Sequence, residues 1–456
     1  MKKLYRILTI CLMISILVLS GCAMGPEETV PTETEPPEVD IGGTSLDCAV
    51  ETLDLTAMQW ELDALVAAAP RLQAVRSIDL GTTDLTWEQF ARIENAFPSA
   101  RIDYSIELFG QTLTPESTCL DASAMTVDQT EELLNRLPML PMVNEVNFVS
   151  EEGGCVYTVD TIRELDRVRE ALPEASFRVS FDLFGQTVTS EQERVEYYCV
   201  EIGNEGADTV RAVLPYLKSC TYFLLDGCGI DYEILAQMRD DFPDTEIVWR
   251  VWLVEEDYNS RLYLRCGSYL TDTHRIRTTY VTDKNSHLLN YCTKTKYVDV
   301  GHVWALTQCD FLSYMPDLEV CILAITEITD ITPLANHEKL EYLELFTTDI
   351  EDLTPLMSCP NIEHLNISNM PKLQDISPIF ELTKLKRLRM VDSPLITDEQ
   401  KQEAEERLPD CEILKMGHFA TAWFWRYGGD GEKVERYALL CEQMEYEIDA
   451  KQYGIP

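Results

Sequence analysis

An α/β coil is what this sequence predicts: a parallel β-sheet along one face, helices and 3-10 turns along the other, and longer helix-rich repeats ahead of it. Three observations predict it. First, one 22-residue phrase recurs, as LEVCILAITEITDITPLANHEK from Leu318, LEYLELFTTDIEDLTPLMSCPN from Leu340 and IEHLNISNMPKLQDISPIFELTK from Ile362, the last stretched by one residue. A fourth copy opens at Leu385 with LKRLRMVDSPLIT. Second, a unit this short cannot bury its own apolar edge, so copies must stack on one another. Third, SIELFGQTLT from Ser105 returns as SFDLFGQTVT from Ser180, 75 residues on, which marks a longer period upstream.

The chain opens with Lys2, Lys3 and Arg6, then a short apolar run from Ile7 to Leu19, then Leu19-Ser20-Gly21-Cys22. That run is too short to span a bilayer and reads as a secretion signal over residues 1–21. The small residues before Cys22 resemble the lipobox of bacterial lipoproteins. The resemblance implies cleavage before Cys22, a lipid on its thiol, and a place on the extracellular face of the bacterial cell membrane. Residues 22–43 carry GPEETVPTETEPPEVDIGG, too acidic and proline-rich to bury a core, and are expected to be a disordered linker. At polyproline spacing these 19 residues reach about 60 Å.

Three of the 37 basic residues lie in the signal, which leaves 34 against 79 acidic ones, a net −45. So acidic a chain repels nucleic acid, and a nucleic-acid partner is rejected on that ground. Thirteen cysteines remain besides Cys11 and Cys22, an odd number with no Cys-x-x-Cys pair. A chain of this length needs no disulfide framework, so they read as structural thiols.

Residues 44–257 read as long irregular strand–helix repeats. Helical stretches end at Pro98, Pro173 and Pro243, each followed by a strand (AFPSARIDY, ALPEASFRV, DFPDTEIVW), with further stops near Pro70, Pro138 or Pro141, and Pro215. The third copy lacks Phe-Gly-Gln-Thr and runs into WRVWLV. Residues 258–294 lack a clear period and are taken as an irregular insertion or hairpin. The stretch 250–296 holds eight basic against five acidic residues beside Trp249 and Trp252. It either balances nearby carboxylates or forms an anion or carbohydrate site.

Residues 295–415 hold the short repeats. Positions 1, 4 and 6 point inward: Leu318, Cys321, Leu323; Leu340, Leu343, Leu345; Ile362, Leu365, Ile367. Leu-x-x-Leu-x-Leu followed by a turn resembles a leucine-rich repeat, and the segments around Pro333, Pro355 and Pro378 resemble the convex side of internalin-type repeats. The resemblance implies a leucine-rich-repeat solenoid and a bacterial surface lipoprotein that recognises an extracellular protein or glycan. One departure is that Thr326 and Thr348 stand where the family has its asparagine ladder. Asp330, Asp352 and Asp375 recur as a ladder of turn carboxylates, with calcium as the competing reading.

Strand alternation sends positions 3, 5 and 7 outward. The expected binding face is therefore Val320, Ile322, Tyr342, Glu344, Phe346, His364, Asn366, Arg387 and Arg389, with the alternative that the tail covers it. The tail, 416–456, carries Trp423, Trp425 and a helix expected over Glu432–Glu447, and is expected to cap the end of the coil. No catalytic motif, metal-ligand spacing or cofactor loop is present: His337-Glu338 does not continue to a second histidine. The reading is a binding scaffold, not an enzyme. An envelope-assembly lipoprotein is the alternative, and a hydrolase with a site outside the repeats (Cys266 with His274 or His287) is the third class.

Overall fold

The computed structural model describes residues 38–255, 265–417, 424–428 and 430–446. Cys22, the signal segment and residues 22–37 of the expected linker lie outside them. The last residues of that linker depart from expectation: Glu38–Asp40 pairs antiparallel with Ser45–Asp47, and Ile41 is fully buried. Val39 and Ile41 alternate with acids, and Asp40 Oδ1 accepts from the amide of Gly42 at 2.8 Å to turn the chain. Two compact units are formed, one of residues up to 107 with 112–115, the other of 108–111 with 116 onward.

The long repeats are three modules of one design. Each has three parallel strands joined by two helices, followed by a β-hairpin. In the first, Thr52–Asp54, Ser77–Thr82 and Arg101–Leu108 align Leu53, Ile78 and Ile102, all on inward-facing positions. The second aligns Cys119–Asp121, Glu145–Asn147 and Ser176–Arg178. The third aligns Arg194–Tyr198, Tyr222–Asp226 and Glu246–Val248. The first helix of each module runs into a 3-10 turn carrying Pro70, Pro138 or Pro215 at its start, where proline's missing N–H leaves no helical bond unmade.

Phe-Gly-Gln-Thr is the hairpin turn. Phe184 and Gly185 lie at φ of 52° and 81° between the paired Leu183 and Gln186. Phe109 and Gly110 repeat this at 52° and 82°. Positive φ at both central residues gives the turn that matches strand twist. The third module has its hairpin too, Arg250–Glu255 against Arg265–Leu270. Of the two readings of 258–294, insertion or hairpin, the stretch holds the hairpin's return strand, and beyond it the repeats have already begun.

Seven parallel strands follow in one sheet: Arg275–Arg277, Tyr297–Asp299, Val320–Ile322, Tyr342–Glu344, His364–Asn366, Arg387–Arg389 and Glu412–Leu414. The short repeats thus start two strands before Val320, from 275 rather than 295. Register is strict: Ile276, Val298, Cys321, Leu343, Leu365, Leu388 and Ile413 stand side by side. All the inward leucines of the phrases are buried. Position 8 of each phrase, His302, Ile325, Thr347, Asn369 and Asp392, has φ between 51° and 67° and turns the chain off the sheet. One residue later, Thr326 and Thr348 donate their hydroxyls to Leu323 and Leu345 carbonyls at 2.7 Å, in place of the asparagine ladder. Where the third phrase has Met370, Ser393 of the next rung donates to the Ile367 carbonyl instead.

On the opposite side, Thr332–Leu334, Thr354–Ser358 and Ser377–Glu381 are 3-10 turns with Pro333, Pro355 and Pro378 near their starts. Asp330, Asp352 and Asp375 each accept from the amide two residues on at 2.8 Å, and these are the turn carboxylates. Among the described residues no helix is long and apolar enough to cross a membrane, and thirteen cysteines are free thiols.

Candidate functional site

The outward face of the seven-stranded sheet is built from alternate residues of each rung, as the period of two requires. It is not open. Val320, Ile322, Ala324, Tyr342 and Phe346 form one buried cluster with Trp425, Tyr427, Tyr437, Leu440, Cys441, Met444 and Tyr446 of the tail. The tail was expected to close the end of the stack. Its described residues instead lie across the sheet as a strap, and its helix spans Glu435–Met444. Three apolar outward residues on one strand would leave an oily ribbon in water, and the strap removes it.

The strap reaches the rungs one after another. Arg275 Nε donates to the Gln443 carbonyl at 2.6 Å, and its guanidinium pairs with Glu445 at 2.7 Å. Tyr446 donates its hydroxyl to Asp299, while Arg277 stacks on the Tyr446 ring at 4.6 Å. Trp425 Nε1–H donates to both Tyr342 Oη and Glu344 Oε1 at 2.9 Å. Arg426 Nη2 meets Glu344 Oε2 at 2.9 Å. Arg387 donates to the carbonyls of Phe424 and Trp425 at 2.7 and 3.2 Å.

Glu344 has no exposed surface. Its carboxylate accepts from Tyr342, Trp425 and Arg426, so every oxygen is engaged despite burial. Burial pushes the Tyr342 hydroxyl far above its usual range, with the Glu344 charge reinforcing it. Arg426 is held charged by Glu344 against the cost of leaving water.

Most of the residues expected to be an exposed binding face are therefore placed together, but under cover. Val320, Ile322, Tyr342, Glu344, Phe346, His364, Asn366 and Arg389 are buried, and Arg387 is half-buried at the margin. The alternative of a covering tail is the one the structure takes; sequence reasoning did not single out Trp425, Arg426, Arg436 and Tyr437 as the partners. The signal was there in the excess of apolar residues at outward positions of Val320–Ala324.

The other sequence candidates resolve into structure. His337 is buried, each ring nitrogen 2.9 Å from a backbone carbonyl, of Leu334 and Leu312. The basic excess at 250–296 is taken up by neighbours: Arg250 forks onto Asp226 at 2.8–3.0 Å and Lys296 meets Glu319 at 3.0 Å. A second concavity, about 430 Å³, lies over the second module's sheet. Its polar groups satisfy one another, with Arg178 on Glu191 and Asn147 on Asp121.

No protein-family model matches the sequence, and no curated protein matches it either. Among solved structures, internalin C2 of Listeria monocytogenes is 20% identical over 27% of this chain, which spans 62% of that one, at a TM-score of 0.24. A second Listeria monocytogenes internalin is 14% identical over 78% of this chain and 94% of that one, at a TM-score of 0.24. A leucine-rich-repeat protein of Leptospira interrogans is 14% identical over 75% and 90%, at a TM-score of 0.29. These superpositions are loose, and the assignment to mixed α/β repeats with parallel sheets rests on the strand register of this chain.

Proposed function

We propose that the chain is an internalin-like leucine-rich-repeat lipoprotein, held by lipid on Cys22 at the extracellular face of the bacterial cell membrane, where it captures a protein or glycan. One observation carries the reading: the sheet face already holds a polypeptide segment, seating Trp425 and Arg426 against Tyr342 and Glu344. A face of aromatic and charged residues on a rigid parallel sheet has the composition of a recognition surface. With the strap seated, the ligand meets its outer side and the last rungs. There Phe424 is 53% and Leu439 44% exposed beside half-buried Arg387.

The test uses a secreted Cys22→Ser chain against an extracellular protein library and a glycan array. Phe424→Asp with Leu439→Asp should abolish capture while leaving the unfolding midpoint unchanged, because both side chains face solvent. Capture that survives both substitutions would place recognition elsewhere. In cells, Cys22→Ser should move the protein from the membrane fraction into the medium.

A further inference from the structure

Along the carboxyl ends of the third module's strands, four side chains stand in line. Tyr198 lies beside Asp226 in the strand register, one strand spacing of about 4.8 Å away. Arg250, at the start of the hairpin, forks onto Asp226 at 2.8–3.0 Å. Its guanidinium is 5.9 Å from the ring of Trp252, two residues further along the same face. The order is therefore aromatic, carboxylate, guanidinium, aromatic. Both rings are open, Tyr198 being 58% and Trp252 46% exposed, whereas Trp249 nearby is buried.

The polar centre between the rings is fixed but not saturated. The Arg250 side chain is 26% exposed, and its Nη1 has only the Ser268 hydroxyl, at 3.4 Å. Each terminal nitrogen of the guanidinium thus keeps one hydrogen without a partner among the described residues. Charge is balanced across the patch. Asp226 matches Arg250, and Glu196, which accepts from the Tyr198 hydroxyl at 2.9 Å, matches Arg194 at 2.8 Å. A protein-binding patch has the reverse plan, an apolar centre depleted of charge inside a polar rim. Here the charges are central and the aromatic rings flank them.

We infer that this stripe binds a neutral oligosaccharide, stacked on Tyr198 and Trp252 and held at its hydroxyls by Arg250. The chemistry matches part by part. The C–H faces of pyranose rings lie on aromatic rings, whose bodies are apolar, and hydroxyl oxygens accept from a planar guanidinium. Asp226 positions Arg250 and need not touch the sugar. Anionic sugars are disfavoured twice: Asp226 already takes the charge of Arg250, and the chain as a whole bears a net −42. Pairing with Asp226 thus removes the anion reading of this basic stretch and leaves the carbohydrate one. The surface is separate from Phe424 and Leu439, and the inference does not rest on them.

The test titrates the secreted Cys22→Ser chain calorimetrically with cellohexaose, maltohexaose, chitohexaose and mannohexaose, and with hexagalacturonate as the anionic counterpart. Saturable binding of at least one neutral hexasaccharide is expected, with hexagalacturonate at least about tenfold weaker. Trp252→Ala and Tyr198→Ala should each weaken binding by about tenfold or more. Their unfolding midpoints should stay unchanged, since both rings face solvent. Arg250→Lys, which keeps the charge and loses the planar donors, should also weaken it by about tenfold. If that variant unfolds early, the two ring variants decide alone. Phe424→Asp with Leu439→Asp should leave this binding intact, which separates the site from the strap surface. The inference is overturned if no neutral hexasaccharide binds saturably, if the ring variants bind as the parent does, or if hexagalacturonate binds as tightly. It falls equally if Trp252→Ala abolishes capture of an extracellular protein instead.

Discussion

Glu344 and Arg426 form an ion pair at a closed interface, and such a pair behaves asymmetrically. Removing one partner strands the other, whereas replacing both with apolar groups can be neutral. Arg426→Ala is therefore expected to cost about 3–5 kcal/mol in urea unfolding, while Glu344→Leu with Arg426→Leu recovers most of it. His364 gives a second prediction at this scale. Its pKa falls from 6.5 to about 3 on folding, under burial and the charges of Arg436, Arg387 and Lys386, with Glu363, Glu412 and Glu435 lining the cavity beside it. A depressed base binds its proton only in the unfolded state, so its contribution is complete above pH 6.5 and is lost as pH falls toward 3. The slope approaches about 1.4 kcal/mol per pH unit. Asp330 and Asp352, held below 3.8 by their amide and hydroxyl partners at Thr332 and Thr354, weaken the fold only at lower pH. Between pH 6.5 and 4, His364→Gln should flatten the stability curve, and equal slopes in parent and variant would discard the assignment. Outward orientation of Tyr342, Glu344 and His364 was legible from alternation alone. Their burial stood only as the alternative of a covering tail, because Trp425 and Arg426 lie about eighty residues downstream and share no period with the rungs.

The phrases fixed where each strand falls because their apolar positions leave no other face to bury. The turns were harder to read. Phe-Gly-Gln-Thr was visible as a repeat, but only the pairing of Leu183 with Gln186 shows that Phe184 and Gly185 make the bend. Nothing crowds a Cβ at Gly185, so the cost of Gly185→Ala comes from its φ of +81° alone. That substitution should lower stability by about 1 kcal/mol. Amide exchange should quicken in Ser180–Thr189 and stay unchanged in the seven-stranded sheet. The third hairpin was legible only as one of two readings, insertion or hairpin, because no Phe-Gly turn marks it as it marks the other two. With it went the boundary at 275, since Thr273 and Thr295 take position 1, where the phrases carry Leu or Ile. Thr295 is fully buried all the same, its hydroxyl donated to the Thr273 carbonyl at 3.2 Å.

For the molecule as a whole, the strap decides what solvent sees. Burial of Val320, Ile322, Tyr342 and Phe346 is worth roughly 1.5–3 kcal/mol per side chain. A chain ending at Lys415 should therefore unfold at lower temperature, bind a hydrophobic dye and self-associate in size-exclusion chromatography. If it stays monomeric and dye-silent, the strap is dispensable. Five buried polar atoms in this layer, on His364, Asn366, Arg426, Tyr427 and Arg436, lack hydrogen-bond partners, so the closure is tight in area and imperfect in bonding. The clasp also spans the chain in time as well as space. Tyr446 locks onto Asp299, 147 residues behind it, so a polypeptide emerging amino end first must wait, with its greasy ribbon bare, until the closing buckle has been delivered.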